Sequence, residues 1–335
     1  MVRLSSPLRR QPSHYRVSRI LAAISVILIL LYLHIKVSHR SPREQLKVSA
    51  EGVGHIPHKI WQILIGRFPT EQFSNAIASW PTQNQDFTYT LLSDDGLNDL
   101  ARKQYANQPG ILNPFLDLQV NILRVDLARY MVLEKEGGIY SDLDVTAVKP
   151  ITQWIPEHVD PDKVRAIIGI EYDQGDRPPH IYTYEPLVFC QWTVAMAPGH
   201  PIAQRAVKYV IEKLHALAEK EQVAIPDLRP AIDDVINVTG PAVWTKAVMD
   251  TMSETTGTAV NHLNFTGLKQ PSLVGDTLVV PINGFGAGQA HSNSWTGIGN
   301  APETLVRHVW KASWKEPGSG VRACYGDQCD KGGIS

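Results

Sequence analysis

The stretch EKEGGIYSDLDVTAVKP, residues 134–150, sets Asp142 and Asp144 one residue apart at the end of an apolar run. In an extended strand, residues i and i+2 project to the same side, roughly 6.5–7 Å apart. Two anions aimed into one crevice repel each other unless a cation joins them, and carboxylate oxygens suit Mg²⁺ or Mn²⁺. A second polar pair precedes them. Asp126 and Arg129 lie three apart in NILRVDLARYMVLEKE, on one face of an otherwise apolar helix. On a surface such a pair is ordinary; in a core it is costly. Delivered beside two carboxylates, it reads as a clamp for sugar hydroxyls.

The same letters admit other chemistry. DLDVT fits the Asp-x-Asp-x-Thr signature of haloacid-dehalogenase-type phosphatases, with Asp142 as nucleophile and Asp144 as acid or base. That reading needs a downstream lysine and a second acidic cluster, and VGDTLVV offers Asp276 alone. A sugar-binding protein without turnover is the non-enzymatic alternative. Glu171 and Asp173 in GIEYDQGD are weak candidates for a catalytic carboxylate. NGFGAGQA matches neither the dinucleotide nor the P-loop glycine spacing and reads as a turn.

The elements that must position these residues alternate. HKIWQILI and FTYTLLS read as strands with a helix around TEQFSNAIASW between them. The helix of residues 121–136 is stopped by Gly137-Gly138, as a left-handed cap requires. IYSDLDV, KVRAIIGIEY, LVFCQWTVAMA and TLVVPI read as further strands, and HPIAQRAVKYVIEKLHALAEKE as the longest amphipathic helix. In TGPAVWT, Gly240 and Pro241 are expected to shape a loop at the cleft. This is α/β alternation, so one domain on a mixed, mostly parallel sheet is expected over residues 55–315, with a polar tail at 316–335. In open α/β sheets the ligand lies beyond the carboxyl ends of the strands.

The 335 residues are 43% hydrophobic, enough for a sizeable core, and the net charge of -1 leaves no basic field for nucleic acid. Ile20 to Leu33 is an unbroken apolar run, and the bracketing charges Arg19 and Lys36 extend the uncharged segment to residues 20–35. As a helix it spans roughly 24 Å, short of an average bilayer core but compatible with thinner secretory membranes. Arg3, Arg9, Arg10, Arg16 and Arg19 precede it with no acidic residue, whereas Glu44 offsets Lys36, Arg40, Arg43 and Lys47 after it, so the expected arrangement is a cytoplasmic tail at 1–19, a signal anchor at 20–35, a stem at 36–54 and a lumenal domain. Asn237 in NVT and Asn264 in NFT are candidate N-glycosylation sites. Cys324 and Cys329 are placed to close a small disulfide in such a lumen, and Cys190 reads as a buried thiol.

RVDLARYMVLEKEGGIYSDLDV closely resembles the signature of glycosyltransferase family 32, the Asp-x-Asp sugar transferases that include fungal α-1,6-mannosyltransferases. IPHKIWQ, IIGIEYD, FCQWTVAMAPGHP, TGPAVWT and VVPINGFGAGQAHSNSW agree in order, so the resemblance covers about residues 55–315. It implies a GT-A fold, a retaining reaction, and Mn²⁺ or Mg²⁺ as cofactor. It also implies transfer of mannose from GDP-mannose to a mannose-bearing N-glycan, with an α-1,6 linkage, in the Golgi. Inositol phosphoceramide mannosyltransferases and α-galactosyl or N-acetylglucosaminyl transferases of the family remain as alternatives. Carried over by position, Asp144, Asp142 and His291 would hold the metal; Asp126, Arg129 and Asp142 the donor sugar; Trp61, Asp142 and Trp295 the nucleotide and diphosphate. Partners would be the nucleotide sugar, a glycan acceptor, the Golgi membrane and other mannosyltransferases, with no nucleic acid.

Overall fold

A computed structural model of the chain describes residues 56–66, 70–177, 185–289, 292, 294, 301–316, 318–325 and 329. The apolar run at 20–35, the stem, His291 and Trp295 lie outside the described residues. No described helix is long and apolar enough to cross a membrane.

β1 (Lys59–Ile63) is buried at four of its five positions, as a continuous apolar run in a two-sided sheet should be. α1 (Ser74–Gln83) returns the chain to β2 (Thr88–Leu92), parallel to β1. Ser93 then caps α2 (Asp94–Gln104), its side chain accepting from the Gly96 amide. After α3 (Pro109–Asp117), α4 (Asn121–Glu136), buried at every position from Asp126 to Glu134, leads into β3 (Gly138–Ser141). The glycine pair makes that transition possible: Gly137 has φ +60° and Gly138 φ +96°, and a Cβ on Gly138 would stand 2.5 Å from the Lys59 carbonyl of β1.

β4 (Val145–Ala147), β5 (Ala166–Asp173), β6 (Leu187–Phe189) and β7 (Thr193–Met196) follow, then α5 (Pro201–Glu221) and α6 (Pro241–Thr256), and finally β8 (Ser272–Val274), β9 (Thr277–Val280) and β10 (Val306–His308). The main sheet runs β2-β1-β3-β7-β5-β9-β8, with β6 beside β5. β1 is parallel to β2 and β3, and β5 to β9, whereas β7 is antiparallel to both its neighbours, β6 to β5 and β8 to β9. The sheet is therefore mixed, as expected, but not mostly parallel. Alternation along the strands gives it two buried faces. Trp61, Tyr140, Val194, Ile168 and Val279 face the helices α4, α5 and α6. Ile60, Ile139, Ala195, Ile167 and Leu278 face Trp80, Trp154 and Phe285.

Two expected strands are shorter than their sequence patterns. LVFCQWTVAMA is broken at residues 190–192, between β6 and β7. IYSDLDV ends as a strand at Ser141, so Asp142 to Asp144 form the turn between β3 and β4. β4 leaves the main sheet and pairs antiparallel with β10, His308 opposite Val145. The run beyond residue 315, expected as a tail outside the domain, is docked: the Arg322 amide donates to the Pro230 carbonyl at 2.8 Å, and Cys324 is joined to Cys329 as expected. Cys190 is buried and free.

Candidate active site

The turn after β3 sits at the floor of a cavity of about 970 Å³, large for a single small-molecule site. Asp142 and Asp144 point into it through the turn rather than through strand alternation. β10, held against β4, brings His308 to them. One ligand atom from each of Asp142, Asp144 and His308 lies within 4.8 Å of the other two. His308 Nε2 is 3.1 Å from Asp144 Oδ1, and the Lys311 amide donates to Asp144 Oδ2 at 3.0 Å. Trp192 and Trp310 hold the imidazole, with ring centroids 4.5 and 4.3 Å from its own.

α4 contributes the second polar layer. Asp126 is fully buried and Arg129 is 2% exposed. Arg129 Nη2 donates to Asp142 Oδ1 at 3.2 Å, and the Tyr140 hydroxyl donates to the same oxygen at 2.5 Å. Arg129 Nη1 lies 3.0 Å from Asp126 Oδ1, close enough for an ion pair but without hydrogen-bond alignment. Among the described residues, Nη1 and Nε of this buried guanidinium thus meet no hydrogen-bond acceptor, a costly state that a ligand hydroxyl at the cavity floor would relieve. The i, i+3 pair is thus buried side by side on α4 and joined through Arg129 to the acidic pair.

Burial shapes the charges. Loss of water raises the Asp142 carboxyl, opposed by Arg129. Burial also acts on Asp144, but the hydrogen bond and charge of His308 and the Lys311 amide outweigh it and hold that carboxyl below its ordinary value. Asp126 is raised to about 7 by burial, in spite of Arg129 and a hydrogen bond from Thr239.

Of the two candidate catalytic carboxylates, Glu171 lines the cavity and accepts from Trp192 Nε1 at 3.0 Å. Asp173 does not line it: at the end of β5 its two oxygens accept the Gly175 and Gly267 amides at 3.1 and 2.7 Å, which makes it a loop anchor. Trp61 is likewise corrected. It is buried in the core with Nε1 donating to the Gly137 carbonyl at 2.8 Å, and the cavity wall is built instead by Ile63, the last residue of β1, and Ile65 after it. Asp276, the second acid a phosphatase would need, pairs with His200 at 3.2 Å and is not part of the cavity lining. Asn264 is exposed in a short 3-10 turn, open to modification. Asn237 is half-buried in a helical turn, its Nδ2 donating to the Asp233 carbonyl at 2.9 Å.

His308 is the residue that sequence reasoning missed. A signal is present in the sequence: HVWKASW, residues 308–314, sets a His ahead of a Ser-Trp pair, as HSNSW does at 291–295, where position in the resembling motif points to His291. Gln191 and Trp192 were also missed, because an unbroken strand pattern hid the break that turns them into the cavity.

Comparison with known proteins accords with this geometry. The family profile described as "Glycosyltransferase sugar-binding region containing DXD motif" matches residues 70–160. The chain is 31% identical over 278 residues to the initiation-specific alpha-1,6-mannosyltransferase of Schizosaccharomyces pombe, covering 82% of this chain and 68% of that protein. It is 27% identical over 291 residues to the protein of the same name from Candida albicans, covering 78% and 73%. Among solved structures, a glycosyltransferase named PaToxG aligns over 60% of this chain and 72% of that one, with 17% identity and a TM-score of 0.40.

Proposed function

The chain belongs to the glycosyltransferase family whose sugar-binding region carries the DXD motif, family 32, and on that premise we propose that it moves mannose from GDP-mannose to a mannose-bearing N-glycan. The proposal includes a GT-A fold, retention at the anomeric carbon, an α-1,6 linkage, and attachment to the Golgi membrane through residues 20–35 with the domain in the lumen, beside other mannosyltransferases. The names of the two relatives support the sugar and the linkage. The single observation that carries the chemistry is the convergence of Asp142, Asp144 and His308 at one end of the cavity, with Arg129 and Asp126 adjoining them.

The donor set fits a divalent cation. Two carboxylates and an imidazole within 4.8 Å of one another offer hard oxygens and one nitrogen, a combination that favours Mn²⁺ over the more oxygen-demanding Mg²⁺. When bound, such a cation neutralises the leaving nucleoside diphosphate without a proton donor. The chain's own groups do the rest. Arg129 offers unpaired donors to the sugar ring, and Asp126 fixes the guanidinium from the opposite side. Tyr140 and Arg129 orient Asp142, so that its second oxygen is left for the ligand. The indoles of Trp192 and Trp310 keep His308 in place and exclude water from one side of it. Holding the donor rigidly in this way supplies the orientation that transfer requires.

The test is a panel of nucleotide sugars offered to the purified chain with Mn²⁺, with and without chelator, and with mannose-bearing glycan and inositol phosphoceramide as competing acceptors. GDP-mannose turned over only with the cation, and mannose delivered to the glycan, is the expected result. Turnover of another donor, or delivery to the lipid, would reassign the substrate within the family.

A further inference from the structure

The Thr239-Gly240-Pro241 run does not form the loop expected at the cleft. Residues Val235–Thr239 form a π turn, closed by the Gly240 amide donating to the Val235 carbonyl at 2.8 Å, and Pro241 opens α6 directly behind it. A π turn inserts one extra residue into a helical path and so rotates everything after it. The residue it delivers inward is Thr239, fully buried, whose hydroxyl donates to Asp126 Oδ2 at 2.7 Å. Each member of the run has its own physical role. Thr239 supplies a hydroxyl. Gly240 supplies a missing Cβ, which would otherwise stand 2.7 Å from the Val235 carbonyl and 2.9 Å from Ile236 Cα. Pro241 sits where a helix leaves its amide unpaired.

A closed ring of polar contacts surrounds this bond. The Tyr130 hydroxyl lies against both Gln191 Oε1 and the Thr239 carbonyl, the latter at 3.0 Å, and the Gln191 amide faces Asp126 Oδ1 at 3.4 Å. Tyr130 is in turn stacked on Trp244 of α6, centroids 5.3 Å apart. Nothing in the ring is exposed beyond a tenth. Satisfied buried networks of this kind fix one geometry, and a single missing member is expensive.

We propose that Thr239 is a positioning residue for the donor sugar: its hydroxyl, set in register by the π turn, fixes the Asp126 carboxylate, which fixes Arg129 against the sugar ring. The inference rests on the sugar-clamp reading of Asp126 and Arg129 given above. It assigns the run a task at the sugar and none at the nucleotide or the cation, which are held by the turn after β3.

That division makes the test selective. In the full-length chain, Thr239→Val keeps the shape and removes the donor, whereas Thr239→Ser keeps the donor. Mn²⁺·GDP affinity is measured by calorimetry, kcat and KM on the nucleotide sugar that the wild-type chain turns over, and the melting temperature of each variant alongside. Leaving a buried Asp126 oxygen without its donor predicts a loss of about 10–100-fold in kcat/KM for Thr239→Val. Mn²⁺·GDP affinity should stay within about twofold, and Thr239→Ser should recover most of the loss. The proposal is overturned if Thr239→Val turns over the donor at the wild-type rate. It is equally overturned if Mn²⁺·GDP affinity falls by the same factor as kcat/KM, or if Thr239→Ser recovers stability without recovering turnover. Because the reference is whichever donor the wild type uses, a different donor would correct the substrate, its own nucleoside diphosphate would replace GDP in the calorimetry, and the Thr239 comparison would stay intact.

Discussion

Asp126 carries its proton to about pH 7 in the folded chain because burial outweighs the help of Arg129 and Thr239, whereas an ordinary aspartate releases it near 3.8. A carboxyl raised in this way contributes stability that is present below the unfolded value and is lost as pH climbs through the folded one. Urea unfolding should therefore show the wild-type chain weakening relative to Asp126→Asn between pH 5 and pH 8, by about 2 kcal/mol; parallel curves would mean that Asp126 stays ionised throughout. At this scale much of the site was legible. Asp142, Asp144, Asp126 and Arg129 are set by local spacing, i+2 across a turn and i+3 on a helix, and the structure brings all four together. Trp61 and Asp173 were misjudged because a residue type at a strand end says nothing about which way the side chain's hydrogen bonds draw it. One is drawn to the Gly137 carbonyl, the other to two loop amides.

The passage from α4 to β3 is the element on which the site depends. Two glycines in the left-handed region let a buried helix turn at once into a buried strand, so that the clamp and the acidic pair are only thirteen residues apart between Arg129 and Asp142. Gly138→Ala forces a Cβ onto the Lys59 carbonyl and an L residue into φ +96°. A cost of at least about 2 kcal/mol is expected, read as a fall of several degrees in the melting temperature, and an unchanged melting curve would contradict the geometry. The α/β alternation, the long helices and this junction could be read from periodicity and glycine placement. The proportion of antiparallel pairing could not: β7 is a short apolar run like its neighbours, and direction is decided by connections on the scale of the whole sheet.

Across the whole molecule, the site is assembled from distant parts of the chain. β10 pairs with β4 over more than 150 positions and carries His308 to an aspartate pair that local sequence had already marked. Residues 318–320 and Tyr325, beyond the expected end of the domain, add to the cavity wall, and Arg322 pins that segment to Pro230, Glu221 and Asp234. Long-range pairing of this sort leaves only a faint trace in one sequence, here the second His and Ser-Trp run. The central claim is that Asp142, Asp144 and His308 hold one divalent cation for glycosyl transfer. It is tested by Mn²⁺ binding to the purified chain, read by electron paramagnetic resonance in the wild type, Asp144→Ala and His308→Ala. A single tight site is expected in the wild type, lost in Asp144→Ala and weakened about 10–100-fold in His308→Ala; equal Mn²⁺ affinity in all three proteins would rule out a cation held by these residues.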